Sequence, residues 1–126
     1  MRRPKTTRVD KKQSIADAWK VIHDVEWPFE PELQFHELRR WRFDWGNREL
    51  MLAVEVEGIT NFGGAIGRHQ SADGIEGDME KYNTAAAMGW VVLRFSQRMI
   101  QRDPFACCEC IVAAAEIIRG RIGNGN

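Results

Sequence analysis

The chain has 126 residues, which is close to the size of one domain and too short for separate catalytic and regulatory units. Apolar residues make up 44% of it and charged residues 29%, so it can bury a core and is neither disordered nor fibrous. No apolar run reaches the roughly 20 residues that span a bilayer, and no signal-type stretch follows Met1. We therefore expect a single domain over residues 1–126 in a soluble, cytoplasmic protein without a membrane partner.

The charges are balanced overall but unevenly distributed. The 18 basic and 18 acidic residues cancel, so no overall field points to a nucleic acid partner. One basic group occupies residues 1–12 and ends with Lys11 and Lys12, which predicts either a solvated, flexible N-terminal arm or a phosphate-binding arm. A second basic group is formed by Arg39, Arg40 and Arg42.

Three cysteines lie close together near the C-terminus, at Cys107, Cys108 and Cys110. Their odd number and close spacing exclude a disulfide framework and indicate a reducing compartment. A zinc site would need a fourth ligand and wider spacing. A helix over residues 105–118 explains them better, as small, half-buried residues.

The first predicted element is a helix over residues 14–25. Its apolar residues recur at steps of three and four after Ser14, which is a suitable N-cap: Ile15, Ala18, Trp19, Ile22 and Val25. Pro28 and Pro31 exclude its continuation.

Two stretches then alternate with the period of a strand. In residues 40–45, one face carries Trp41, Phe43 and Trp45 and the other carries Arg40, Arg42 and Asp44. In residues 52–58, Leu52, Val54 and Val56 face inward, opposite Ala53, Glu55 and Glu57. Together they predict an antiparallel hairpin.

The turn of this hairpin decides which side chains meet. A four-residue turn over residues 48–51 would put Asp44 opposite Glu55, with Cβ atoms about 5 Å apart. A tight turn at Gly46-Asn47 would pair Asp44 with Glu49 and leave Glu55 roughly 20 Å further along. Local turn chemistry favours the tight turn, so the sequence alone leaves both open.

The remaining elements complete a predicted α/β domain. A glycine-rich loop over residues 59–74 precedes a helix over residues 75–88, which Gly89 ends. The apolar run over residues 90–95 is typical of a strand covered on both faces and, after a crossover helix, should lie parallel to the strand at residues 52–57. The last helix is predicted over residues 104–119.

Carboxylates that face each other on neighbouring strands indicate a cation-binding site. Asp44 and Glu55 would repel each other unless a cation neutralises them. Mg²⁺ prefers oxygen ligands, is often held by one or two carboxylates, and assists phosphodiester cleavage. The alternative is that Glu55 and Glu57 form the solvated face of an edge strand.

Five motifs in fixed order resemble small phage and prophage nucleases of the PD-(D/E)XK superfamily: residues 39–44, 52–58, 67–69, 78–83 and 89–95. The resemblance covers roughly Glu32 to Phe95. It implies a restriction-endonuclease-like mixed sheet flanked by helices, and it favours the four-residue turn.

The resemblance also implies a ligand set. Asp44 and Glu55 match the family's Mg²⁺ ligands, the Val56 carbonyl would be a further ligand, and Glu32 resembles an auxiliary acidic ligand. Mn²⁺ would substitute for Mg²⁺.

Glu57 departs from the pattern, because many members carry a lysine there. The catalytic role of that lysine then falls to Glu57, His69 or Lys81. For Lys81 the alternative is an intrahelical ion pair with Asp78. His69, in the glycine-rich loop, could act as a base or contact phosphate, or could be an ordinary loop histidine.

The function implied is Mg²⁺-dependent hydrolysis of DNA by a homodimer, with branched DNA such as a Holliday junction as the sharpest expectation. The expected DNA contacts are Arg39, Arg40, Arg42, Arg68, Lys11 and Lys12. Nicking near mismatches, as in very-short-patch-repair endonucleases, is one alternative. A catalytically inactive DNA-binding protein on the same fold is another.

Overall fold

The structure, a computed structural model, describes residues 8–58 and 71–124. Its elements in chain order are α1 (Arg8–His23), β1 (Glu30–Gln34), β2 (Arg42–Asn47), β3 (Leu52–Glu57), α2 (Ala72–Ala87), β4 (Val91–Ser96), α3 (Gln97–Arg102) and α4 (Pro104–Asn124). The strands form one sheet in the order β1-β2-β3-β4, with β3 and β4 parallel and the other pairs antiparallel. This mixed sheet with flanking helices confirms the predicted α/β fold.

Both faces of the central strand β3 are covered by apolar side chains. Leu52 and Val54 belong to a core cluster that includes residues of α1 and α4, whereas Ala53 belongs to a second cluster with Ala85 of α2. Because successive strand residues point to opposite faces, the two clusters lie on opposite sides of the sheet. The sheet is therefore enclosed between α1 and α4 on one face and α2 on the other.

The register of β2 against β3 identifies the turn. Asn47 pairs with Leu52, so the four residues 48–51 form the connection. The Asn47 side chain accepts the N–H of Leu50 at 2.9 Å, and Met51 has a φ of 52°. The preference that local turn chemistry gave to Gly46-Asn47 is wrong, because Gly46 lies inside β2.

Gly46 is needed for close packing against β1. A Cβ atom added to it would lie 2.7 Å from Cδ1 and 3.0 Å from Cβ of Leu33. Real Cβ atoms do not approach neighbouring carbons this closely, so only glycine fits here without a shift of the strands. The glycine that suggested a turn in the sequence thus marks a contact between two strands.

The expected grouping of Phe43 with Trp45 is wrong. Trp45 packs in the first core cluster and Phe43 in the second, so they lie on opposite faces although they are two residues apart. The break lies opposite Glu32 of β1, which adopts a φ of 51° between the pairs Pro31–Trp45 and Leu33–Phe43. A residue with positive φ interrupts the regular alternation of a strand.

Several element boundaries differ from the predictions. Helix α1 begins at Arg8, so residues 8–12 of the predicted arm are helical. Helix α2 begins at Ala72 because the Ser71 side chain accepts the N–H of Gly74 at 3.1 Å. Gly89 has a φ of 97°, which confirms its predicted place at the end of this helix.

Two elements were absent from the predictions, and one strand is less buried than expected. Strand β1 contains Pro31, which is tolerated because β1 is an edge of the described sheet. Strand β4 is the other edge, so its first three residues are half-buried and Arg94 is exposed. The short helix α3 was also not predicted.

Helix α4 contains the three cysteines, as expected. Cys107 and Cys108 are buried and Cys110 is exposed, and all three are free thiols. Burial raises the pKa of the Cys108 thiol to about 11, so it stays protonated at neutral pH.

No helix in the described ranges has the length and apolarity to cross a membrane.

We predict that Gly46→Ala destabilises the protein by roughly 1–3 kcal/mol, because its methyl group would overpack against Leu33. Gly77→Ala in α2 is the matched control, since a Cβ atom there meets nothing within 4 Å. That change should stabilise the helix by up to about 1 kcal/mol. Urea unfolding of both variants measures the difference, and equal effects would contradict the close approach of β1 and β2.

Candidate active site

The ladder between β2 and β3 is continued by two carboxylates where backbone pairing ends. The last backbone pair is Trp45 with Val54. Beyond it, the Asp44 N–H donates to Glu55 Oε2 and the Val56 N–H donates to Asp44 Oδ2, each at 2.8 Å. The side chains of Asp44 and Glu55 thus take the places of strand carbonyls, which fixes both carboxylates in the gap between the strands.

Both carboxylates are buried. Asp44 is 7% and Glu55 5% exposed, so two like charges lie side by side away from water. Such an arrangement is costly unless cations or hydrogen-bond donors balance it. The structure supplies these from two helices.

Helix α2 balances Glu55. Lys81 Nζ lies 2.7 Å from Glu55 Oε1, and the Tyr82 hydroxyl donates to the same oxygen at 2.9 Å. Lys81 is therefore paired with the buried strand carboxylate, and the alternative of an ordinary ion pair with Asp78 does not describe its position.

Helix α1 balances Asp44. Lys12 is 8% exposed, and its ammonium group lies 3.2 Å from Asp44 Oδ1 while it also pairs with Glu32 on β1. Glu32 on β1 lies opposite Asp44 on β2, so the ammonium group of Lys12 joins carboxylates on adjacent strands. Lys12 therefore lies in a buried ion pair, and neither the solvated arm nor the phosphate-binding arm describes its position.

Burial raises the pKa of two acidic groups in this site. Burial is the largest effect on the Glu55 carboxyl and raises its pKa, against the hydrogen bond and charge of Lys81 and with the charge of Asp44. Burial and the charge of Glu55 raise the pKa of the Tyr82 phenol, which therefore remains a donor. Tyr82 and Lys81 both stabilise the ionised form of Glu55.

Glu57 is held by a different cation. Arg94 Nε on β4 donates to Glu57 Oε1 at 2.9 Å, and the Arg94 guanidinium also lies 4.6 Å from the centre of the Tyr82 ring. Burial lowers the pKa of Arg94, but the hydrogen bond and charge of Glu57 outweigh it, so that pKa lies above its ordinary value. The acid at position 57 is thus part of an ion pair on the rim of the site.

These groups line a cleft of about 200 Å³. Its walls are almost entirely polar and are formed by Arg42, Asp44, Glu55, Val56, Glu57, Asp78, Lys81 and Tyr82. The cleft thus brings together six of the predicted site residues: Arg42, Asp44, Glu55, Val56, Glu57 and Lys81.

The remaining candidates lie at the edge of the site or outside the described residues. Arg39 pairs with Glu80 at 2.8 Å, and Arg40 is exposed. Arg68 and His69 lie outside the described residues, and so does the side chain of Lys11.

Sequence reasoning missed the contacts of Tyr82 and Arg94 with the acids of the cleft and did not predict the buried ion pair of Lys12. Tyr82 and Arg94 fall inside motifs that were recognised, so their polar groups were the available signal. For Lys12 there was no local signal, because its partners are 20 and 32 residues away in sequence.

The described residues contain no group of three or more Asp, Glu, His or Cys side chains placed to hold a metal ion together. Four acids line the cleft, of which Asp44 and Glu55 are buried. Any cation bound there would complete its shell with backbone oxygen, water or substrate.

The pH dependence of stability tests the burial of Glu55. Its folded pKa lies above the ordinary value of 4.5, so its contribution to stability is complete below pH 4.5 and is lost as pH rises through the folded pKa. We predict that the free energy of unfolding of the wild type, minus that of Glu55→Ala, falls as pH rises from 4.5 towards neutrality. A difference that rises over this range would contradict the assignment; Glu109→Ala, an exposed acid on α4, is the control.

Comparison with known proteins finds a structural neighbour for the overall fold. No protein-family model matches the chain, and a search of curated protein sequences finds no match. Among solved structures, the chain is similar to the catalytic domain of the homing endonuclease I-Bth0305I, with a TM-score of 0.50 and 14% sequence identity. The similarity covers 97% of this chain and 100% of that domain, and it supports the same overall fold.

Proposed function

We propose that this chain is a metal-dependent endonuclease that hydrolyses phosphodiester bonds in DNA, with Asp44 and Glu55 as the metal-binding carboxylates. The observation that carries the proposal is the pair of buried carboxylates fixed in the gap between β2 and β3. The structural neighbour is itself the catalytic domain of an endonuclease, which supports the same class of activity. The PD-(D/E)XK assignment is part of the proposal.

The donor set fits a hard divalent cation. Asp44 and Glu55 supply carboxylate oxygens. The N–H and C=O groups of a strand residue face the same neighbour, so the Val56 carbonyl is directed to the side on which its N–H meets Asp44. Glu32 would contribute only after separating from Lys12. When bound, Mg²⁺ or Mn²⁺ supplies activation of water and neutralisation of charge on the phosphate.

Lys81 is the best candidate for the positive charge missing at position 57. Its ammonium group enters the cleft from α2, is 15% exposed and contacts Glu55. From there it can donate to a phosphate oxygen or orient the attacking water. Glu57 and His69 remain candidates for the base, although Glu57 must first leave Arg94 to act as one.

Branched duplex DNA is the proposed substrate, cut by a homodimer. A four-way junction needs two symmetric cuts, which a two-fold dimer provides. Arg39, Arg40 and Arg42 are proposed to contact the phosphates beside the cleft, with Arg68 and Lys11 adding to them.

A DNA-binding protein without cleavage activity is the second candidate. The contact of Lys12 with Asp44 favours it, because an ammonium group beside Asp44 competes with a metal ion for the same oxygen. The two functions are separated by cleavage assays on linear, nicked, flapped and four-way DNA, first with Mg²⁺ and then with EDTA. Tight binding without cutting on any of these substrates would support the second candidate and contradict the first.

We predict that Asp44→Ala and Glu55→Ala abolish cutting while DNA affinity measured in EDTA stays near that of the wild type, because each removes a metal ligand and relieves carboxylate repulsion. Gel cleavage assays and binding assays on the same DNA measure both effects. Glu109→Ala should cut normally, and wild-type rates in either site variant would disprove the site.

We predict that Lys81→Ala lowers kcat by about 10²- to 10³-fold with little change in DNA affinity, as expected for the loss of one electrostatic contact to the transition state. Lys81 also lowers the pKa of Glu55, so the acid limb of the pH–rate profile should move to higher pH in this variant. Lys81→Arg should recover part of the rate. Lys20→Ala, an exposed lysine on α1, is the control; an unshifted profile with normal kcat would exclude Lys81.

A further inference from the structure

The loop between β1 and β2 presents an apolar side chain to solvent. Leu38 is 87% exposed, the highest value among the large apolar residues that the structure describes. Single exposed leucines are common on protein surfaces, so exposure alone indicates little. The rigidity and the charge of this loop are what distinguish Leu38.

Hydrogen bonds hold the loop in one conformation. His36 Nδ1 accepts the N–H groups of Leu38 and Arg39 at 3.1 and 3.0 Å. The Gln34 side chain donates to the carbonyls of His36 and Arg39 at 3.2 and 3.0 Å. The apolar tip is therefore fixed in place and outward-facing.

Aromatic residues of the same loop are packed inward. Phe35 is buried and stacks on Phe43, with ring centroids 4.2 Å apart, and on Trp41, with centroids 6.1 Å apart. The inner side of the loop thus packs against aromatic rings, whereas the Leu38 side chain stays exposed to solvent.

The loop is also basic and is tied to the elements of the cleft. Arg39 stacks 3.9 Å from the centre of the Trp41 ring and pairs with Glu80, the residue before Lys81. Arg40 is exposed, and Arg42, which follows the loop, lines the cleft. DNA bound to the cleft through its phosphates would therefore lie against this loop.

We propose that Leu38 is a wedge that enters between two base pairs of duplex DNA and opens their stacking beside the cleavage site. The inference rests on the proposed function, because it requires DNA at the cleft. Apolar side chains flanked by cations act in this way in proteins that bend DNA, where the cost of unstacking is repaid by additional contacts. A rigid loop also lowers the entropic cost of binding, because it has little conformational freedom to lose.

The wedge also implies a substrate preference. Opening an intact base step costs free energy, which is smaller where stacking is already interrupted. The wild type should therefore bind a duplex that contains an abasic site more tightly than an intact duplex of the same sequence.

The experiment uses short duplexes that carry 2-aminopurine at successive positions, with Ca²⁺ in place of Mg²⁺ and with the integrity of the DNA checked on a gel. We expect binding of the wild type to raise the fluorescence at one base step, and Leu38→Ala to lose that rise. Leu38→Ala should also bind the intact duplex roughly tenfold more weakly and lose the preference for the abasic duplex. Val21→Ala is the matched control, because Val21 is 84% exposed on α1.

Each other outcome has a separate meaning. If Leu38→Ala keeps both the fluorescence rise and the abasic preference, the wedge is wrong while DNA binding stands. If the wild type binds the duplex without any rise at any position, the wedge is also wrong. If the wild type binds no duplex, flapped or four-way DNA, the proposed function itself fails.

Discussion

The structure depends on how two buried carboxylates are balanced. Asp44 and Glu55 complete the hydrogen bonding of β2 and β3 where the strands stop pairing, so neither can move away from the other without leaving a strand N–H unsatisfied. Lys81 and Tyr82 reach Glu55 from α2, and Lys12 reaches Asp44 from α1. The positions of two helices relative to the sheet are thus linked to the charges of this one pair.

This arrangement separates the source of negative charge from the source of positive charge. The acids lie on the strands, and the lysines lie on α1 and α2, which pack on opposite faces of the sheet. An acid at position 57 is compatible with such a site, because Arg94 neutralises it at the rim while Lys81 pairs with Glu55 at the centre. A lysine on β3 is therefore not required for a positive charge beside Glu55.

Local periodicity and the order of the motifs were sufficient to predict two strands and the two carboxylates that face each other between them. Alternation identified β2 and β3, and the motifs identified Asp44 and Glu55 as facing residues. It failed where long-range packing overrode the local pattern: Gly46 suggested a turn but packs on Leu33, and positive φ at Glu32 coincides with the separation of Phe43 from Trp45. The role of Lys12 was beyond local reasoning, because it follows from how α1 packs on the sheet.

The internal lysines have a consequence for how such a site would bind its ligands. A divalent cation at Asp44 must compete with the ammonium group of Lys12, which weakens cation binding relative to an unpaired acidic pair. A DNA phosphate at the cleft would offer displaced ammonium groups a new partner. Cation and DNA would then each favour binding of the other, and by linkage the coupling must be equal in both directions. Under the proposed function, such a site would hold a metal ion firmly only when DNA is also bound.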